Sequence, residues 1–312
     1  MLIPTRPDQA EILAVAGARS LDYPPDKLEI LVARGKQPSV QRNAGMKVAR
    51  GELICFLDDD SIPQPGHLRR AVAHFRDPKV KLVGGPNVCP PDAPELEQVF
   101  ALVLSSWLAF GPSRARYMPV GAARATGEKE LILCNLLARR DALLELGGFN
   151  EALYPNEENA LMDELQKRGG KLLYDPELVV FRRPRRTFKA FAKMLRTYGR
   201  GRAEQFREHP TLGSALNFVP PMFLVYLVAL VPLVFMVGEF TLAPLGLYVT
   251  AVLMQVLALM PRGGVVRSLG AVPLIVLTHV LYGLGFWRGL FTKLHAPDER
   301  ANVPVKLEII SR

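Results

Sequence analysis

The sequence predicts an α/β domain, a Rossmann-like mixed sheet with helices on its faces, followed by transmembrane helices. Three observations predict it. Across the first two thirds, short apolar runs alternate with amphipathic segments, as βα units do. One of those runs empties into Asp58-Asp59-Asp60. Residues 216–292 are mostly apolar, whereas nearly all the charge lies before them. The averages, 49% hydrophobic residues and a net charge of +9 over 312 residues, suit an ordinary soluble protein equally well, so the distribution decides.

In chain order, Leu2-Ile3 is a short strand, Asp8 to Leu21 a helix, and Glu29 to Val32 a second strand. Ser39 to Arg50 reads as a helix stopped at Gly51. Glu52 to Leu57 is an almost unbroken apolar run, the pattern of a strand buried on both faces. Gly66 to Phe75 reads as a helix and Lys81 to Gly85 as a strand. Asn87 to Thr126 has no clear period; it mixes Pro, Gly, Ser and Arg with an apolar segment around Phe100 to Phe110, and part of the stretch reads as a mobile or membrane-touching loop. Leu131 to Ala138 comes next, then a helix from Asp141 to Leu146 and the turn Gly147-Gly148. Glu157 to Arg168 is a helix with a left-handed stop at Gly169-Gly170, and Lys171–Tyr174 and Leu178–Phe181 are strands.

From Arg182 to His209 there are ten Lys/Arg against Glu204 and Glu208, with Phe188, Phe191, Met194, Leu195 and Tyr198 at helical spacing. A basic amphipathic helix beside apolar segments is expected on an anionic leaflet, in contact with membrane lipids. The other readings, a charged face of a soluble domain or a nucleic-acid contact, are weakened by the apolar segments next to it. Leu216 to Val237 contains no charge and as a helix spans roughly 30 Å, enough for a bilayer core. Phe240 to Met260 and Leu269 to Trp287 are two further uncharged runs. The basic flanks place the front domain inside, the Gly238-Glu239 turn outside, and Arg262 and Arg267 inside again. A third full crossing would put Arg288 and Lys293 outside, so the third run is read as spanning, re-entrant or lying in the interface. Gln255 and His279 within these runs read as helix–helix hydrogen bonders. The domains are then 1–181, a basic interfacial stretch 182–213, two to three membrane helices in 214–292, and a tail 293–312.

The first ten residues have no apolar core and do not read as a secretory signal, so the front domain is expected in the cytoplasm. Cys55, Cys89 and Cys134 form no CxxC pair and read as small buried hydrophobes. His67, His74, His209 and His295 are not at metal-ligand spacing and read as surface residues.

The strand end at Asp58-Asp59-Asp60 is the strongest chemical feature, because ligands of open α/β sheets sit at the carboxyl ends of strands. Three successive acids need a compensating cation. Asp58 and Asp60, two apart in extended chain, can face the same side, and hard carboxylate oxygens suit Mg²⁺ or Mn²⁺. In isolation the triplet reads equally well as a solvated acidic turn. Upstream, Arg42 offers a planar fork for phosphate oxygens, or simply a polar helix face. Downstream, Asn156 is a reasonable N-cap and Glu157-Glu158 sit in a helix's first turn, where carboxylates stay ionised. That is also the state a general base needs.

Together these features resemble family-two inverting glycosyltransferases of the GT-A fold. PSVQRNAGMKVARGELICFLDDDSIPQPGHL is similar to the helix, strand and DxD motif of that family, and CNLLARRDALLELGGFNE to its acceptor-side segment. NEENALMDELQKRGG stands where the family has its Glu-Asp motif. The YGRGRAEQ stretch and terminal membrane helices look like an exopolysaccharide-assembly branch.

The resemblance implies roles residue by residue. Asp60 would hold the metal with Asp58, which would also contact the nucleotide, as would Pro4, Thr5, Arg42, Asn43 and Asp59. Glu158 falls on the catalytic base, with Glu157 beside it. Asn135, Gly147 and Gly148 would shape the acceptor and sugar pocket. The implied partners are a nucleoside-diphosphate-sugar donor and a lipid-linked or membrane-proximal glycan acceptor. The absence of a QxxRW motif implies transfer of a single sugar. Two departures stand out: Ala33-Arg34-Gly35 follows the second strand where the family has an acid, and Arg182 stands where relatives often have a metal-binding His. They leave a degenerate scaffold of a polysaccharide-assembly complex as the alternative. A phosphotransferase is disfavoured because no GxxxxGK[ST] loop is present.

Overall fold

The computed structural model describes residues 1–151, 157–208, 210, 212–292 and 304–310. In chain order the elements are β1 (Leu2–Thr5), α1 (Leu13–Arg19), β2 (Ile30–Arg34), α2 (Pro38–Val48), β3 (Leu53–Leu57), β4 (Ile62–Pro63), α3 (His67–His74), β5 (Val80–Gly84) and β6 (Asn87–Val88). Then come α4 (Glu95–Leu104), α5 (Trp107–Phe110), β7 (Arg124–Thr126), β8 (Asn135–Arg139), α6 (Arg140–Glu145), α7 (Glu157–Lys167), β9 (Lys171–Tyr174) and β10 (Val180–Phe181). The last are α8 (Phe188–Glu208), α9 (Val219–Val237), α10 (Ala243–Phe291) and β11 (Lys306–Ile310). The chain divides into two compact units. One holds Met1–Pro90, Pro112–Arg183 and the C-terminal strand, and the other holds Pro91–Gly111 with the residues from Pro184 through α10.

The first unit is built on an eight-stranded mixed sheet ordered β11-β2-β1-β3-β8-β5-β9-β7, with a small β4-β10-β6 sheet beside it. β2, β1 and β3 run parallel, and β8 enters antiparallel between β3 and β5. Its strands read as continuous apolar runs because both faces are covered. Leu2, Phe56 and Leu136 enter one core while Ile3, Leu57 and Leu137 enter the other, as alternation along a strand requires. The first helix, expected from Asp8, starts only at Leu13. The Arg34 guanidinium takes the Pro7 and Gln9 carbonyls at 3.4 and 2.8 Å, so they are not free to open a helix there.

The end of the chain also differs from expectation. Within the expected tail, Lys306–Ile310 pairs antiparallel with β2 and closes the sheet edge that β2 would otherwise expose. Glu308 faces Arg34 at 3.1 Å.

In the second unit all three uncharged runs are helical. α9 is the first. The second and third are joined in α10, which breaks at Gly264 (φ 70°, ψ 174°) between Arg262 and Arg267. That backbone conformation is open to glycine and costly for other residues. Two helices are long and apolar enough to cross a membrane, Ala215–Val237 and the kinked Glu239–Phe291. Val228, Phe235 and Val266 are 82%, 85% and 83% exposed, apolar surface that water would not tolerate at this extent.

Within the aperiodic stretch, the apolar segment Phe100–Phe110 lies in α4 and α5, with Phe100 stacked on Phe191 of α8 at 4.2 Å. The apolar face of α8 is turned into protein rather than lipid: Phe191, Met194 and Leu195 are buried, and only Phe188 among its large apolar residues is exposed. Gly199 permits this, because a Cβ there would collide with the Tyr282 carbonyl of α10. Gln255 and His279 hold a helix pair as the sequence suggests. Gln255 accepts from the Leu108 N–H at 3.0 Å, and the His279 ring lies between the Leu108 carbonyl (2.9 Å) and the Tyr248 hydroxyl (2.8 Å).

Candidate active site

The parallel register of β1 with β3, Leu2 beside Phe56, brings their carboxyl ends together. Thr5 and Asp59 therefore meet, the Thr5 hydroxyl donating to Asp59 at 2.9 Å. Pro4, one residue back, is buried in the strand. Asp59 also fixes the approach to α1, its carbonyl accepting from Ala14 N–H at 3.1 Å.

Asp58 and Asp60 face a different partner. β10 pairs antiparallel with β4, Phe181 opposite Ile62, which sets the next residue, Arg182, beside the aspartate run. The Arg182 main chain is pinned by its N–H to the Val88 carbonyl at 3.0 Å. Its guanidinium lies across both carboxylates, Nη2 at 3.0 Å from Asp58 and Nε at 2.6 Å from Asp60. Burial alone would lower its pKa, but the carboxylates of Asp58 and Asp60 overcome that and hold it well above the ordinary value. This group is a permanent cation.

Arg42 of α2 extends the network. It reaches Asp58 at 3.4 Å and Glu157 at 3.1 Å. Carboxylates and guanidinium groups thus alternate as Glu157, Arg42, Asp58, Arg182, Asp60. The two acids at the start of α7 are separated by this arrangement. Glu157 is 3% exposed and ion-paired, whereas Glu158 is half-buried and has no ion pair among the described residues. Asn156, expected as the N-cap, lies outside the described residues.

Two residues expected around the ligands are used internally. The Asn43 amide donates to the Phe149 carbonyl at 2.9 Å and to Glu151 at 2.8 Å, and its oxygen accepts from Phe149 N–H at 2.8 Å. It is a latch on the Gly147-Gly148 turn, not a free nucleotide contact. Both glycines have positive φ, 80° and 86°, and a Cβ on Gly148 would collide with the Asn43 oxygen. Asn135 is fully buried, donating to the Pro86 and Leu178 carbonyls at 3.0 and 2.6 Å and meeting His67 Nε2 at 2.8 Å.

His67 corrects the surface reading. It is 2% exposed, and burial lowers its pKa, with the Asn135 contact opposing. His74 likewise serves the interior, binding Asp175 at 2.8 Å together with a two-pronged Arg70. Burial pushes the Asp175 pKa up, but Arg70 and His74 outweigh it and the net direction is down. His209 and His295 lie outside the described residues. Burial pushes the Cys55 thiol up to about 12 and Cys134 up to about 11, so both stay protonated. A lone arginine after a two-residue strand carries no periodic signal, which is why Arg182 is legible in the sequence only as a departure from the family pattern.

Asp58 and Asp60 offer the hard oxygens that Mg²⁺ or Mn²⁺ takes. Both, however, already face a guanidinium. Among the described residues no group of three or more His, Cys, Asp or Glu is placed to hold a metal ion. As arranged, the pair does not fit a divalent ion unless Arg182 is first displaced.

The sheet with its antiparallel β8, the acidic end of β3 and the acids opening α7 define a GT-A-like mixed α/β fold, followed in the chain by long apolar helices. The sequence pattern of Glycosyl transferase family 2 matches residues 16–128. Two strains of Mycobacterium tuberculosis have a pre-mycofactocin glycosyltransferase 27% identical over 175 residues, covering 56% of this chain and 36% of the relative. The chain thus spans about a third of the length of these curated relatives. Among solved structures, the mannosyltransferase PcManGT from Pyrobaculum calidifontis, in complex with GDP-Man and Mn²⁺, superposes with a TM-score of 0.60 at 17% identity, over 93% of this chain and 86% of that one. S. aureus TarS residues 1–349, in complex with UDP, gives 0.44 at 13% identity, over 100% and 96%.

Proposed function

We propose that the chain is a membrane-anchored, inverting glycosyltransferase that moves one sugar from a nucleoside-diphosphate sugar to a lipid-linked or membrane-proximal acceptor in cell-surface glycan assembly. The observation that carries this reading is the strand-end network from Glu157 to Asp60 beside the half-buried Glu158, on one chain with helices long enough for a bilayer. The pre-mycofactocin glycosyltransferases support the class of reaction, and the mannosyltransferase supports the fold that would carry it.

The chemistry follows from the roles. Glu158 takes the proton of the acceptor hydroxyl as its oxygen attacks the anomeric carbon. The nucleoside diphosphate leaves from the opposite face, and its growing charge must be met at the strand end. One displacement inverts the anomeric centre. Glu157, ion-paired with Arg42, is assigned to holding that residue in place. The excess of Lys and Arg on α8 and around Arg262 and Arg267 supports a cytoplasmic side for the catalytic unit.

The alternative, a scaffold that has lost the donor site, is favoured by one observation. β2 ends in Arg34, and that residue is occupied by Glu308 and two carbonyls instead of presenting an acid to a base. Titration of the detergent-purified chain with UDP, GDP and dTDP separates the two. Saturable binding of one nucleotide supports the transferase; binding of none supports the scaffold.

A further inference from the structure

We propose that Arg182 takes the place of a divalent ion: its guanidinium is the cation that meets the donor diphosphate, so donor binding needs no metal. The inference rests on the donor-site reading and deepens it.

Placement supports it first. The register of β10 on β4 and the Arg182 N–H bond to Val88 hold the residue beside Asp60, so its position follows from the sheet and not from a mobile side chain alone. Chemistry supports it next. A guanidinium has five N–H donors and no lone pair, so it can bind phosphate oxygens but cannot ligate a metal. Nη2 and Nε face Asp58 and Asp60, and the side chain is still 24% exposed, which leaves donors for a ligand. Repulsion points the same way. A divalent ion seated on Asp58 and Asp60 would stand within a few ångströms of a charge that cannot be removed by deprotonation.

Asp58 and Asp60 then have a different task from metal ligation. They aim the guanidinium, as paired carboxylates aim a planar fork. Arg42 cannot replace it, because its side chain is only 7% exposed, against 24% for Arg182. The five-member alternation carries one carboxylate more than it has guanidinium groups, which is the physical case for the opposite outcome.

The test is calorimetric titration of the full chain in detergent with UDP, GDP and dTDP, first in EDTA and then with Mn²⁺. Wild type is expected to bind one of the three in EDTA, with Kd changed less than about threefold by Mn²⁺. Arg182→Gln should weaken that binding about 10- to 100-fold, and Arg182→Lys less, as expected for loss of one or two charge-assisted contacts. Arg182→His supplies a ligand with a lone pair and should make binding Mn²⁺-dependent, with Mn²⁺ itself captured in electron paramagnetic resonance where wild type captures none. Thermal unfolding of each variant controls for folding. Wild-type binding that appears only with Mn²⁺, or an Arg182→Gln protein that binds normally in EDTA, overturns the proposal and leaves the transferase reading intact. No binding of any nucleotide by well-folded wild type under either condition overturns both.

Discussion

Two sets of polar groups sit in otherwise apolar surroundings, and they are treated differently. At the sheet end, five charged side chains share partners: Asp58 serves two arginines, Arg42 serves two acids, and Asp58, Asp60 and Arg182 remain about a quarter to two-fifths exposed. In the apolar helices, Gln255 and His279 close on the two main-chain groups of Leu108, and the Tyr248 hydroxyl meets the other nitrogen of the His279 ring. The first set keeps donors and charge available to something that arrives. The second is spent on holding helices together. A polar residue in an apolar segment is therefore read by what its hydrogen bonds leave over.

The largest effect that sharpens this contrast is chemical. Glu158→Gln is expected to lower sugar transfer about 10²- to 10⁴-fold, the usual contribution of a general base. Nucleotide binding, measured by titration, should stay within about threefold. A variant that transfers at the wild-type rate would remove Glu158 from the mechanism.

Next comes stability. Glu157→Ala leaves Arg42 buried with its longer ion pair to Asp58 as the remaining one among the described residues, and should cost about 3–5 kcal/mol, as does breaking a buried ion pair from one side. Denaturation of the purified chain would show it. Gly148→Ala meets both a positive φ and the Asn43 oxygen, so a loss of about 1–3 kcal/mol is expected from backbone strain. In the apolar helices Gln255→Leu should cost only about 0.6 kcal/mol, the average for such bonds between membrane helices, with nucleotide binding untouched. A cost comparable to that of Glu157→Ala would dissolve the distinction between the two sets.

The smallest effect is in pH. Folding lowers the His67 pKa below its ordinary 6.5, so the unfolded chain takes up a proton first on acidification. Its share of stability is complete above about pH 6.5 and falls as the pH drops towards the folded value. Asp175, also lowered, keeps its share until the pH falls below its ordinary 3.8 and through the folded value. The melting temperature of wild type should decline gently from pH 7 to pH 5, and His67→Gln should flatten that slope.

Much of the molecule is legible in the sequence, for identifiable reasons. β3 is legible because an apolar run ending in three acids has few other uses, and the apolar helices because a bilayer demands length without charge. α7 is placed to within a residue by its opening acids and closing glycines. The apolar face of α8 is misread as facing lipid because helical period shows that a face is buried without showing against what; α10 and Phe100 supply the answer.

The sequence by itself therefore determined the period of each element, the acidic strand end, the basic and apolar zoning, and the acids that open α7. These are local properties, written in neighbours along the chain. The tertiary structure alone decided that Asn43 latches a glycine turn, that Glu157 pairs with Arg42, that Glu308 closes the sheet from 274 residues beyond Arg34, and that Arg182 lies across Asp58 and Asp60. Each depends on strand register or helix packing between distant segments, and a side chain's partner is fixed only when both backbones are in place.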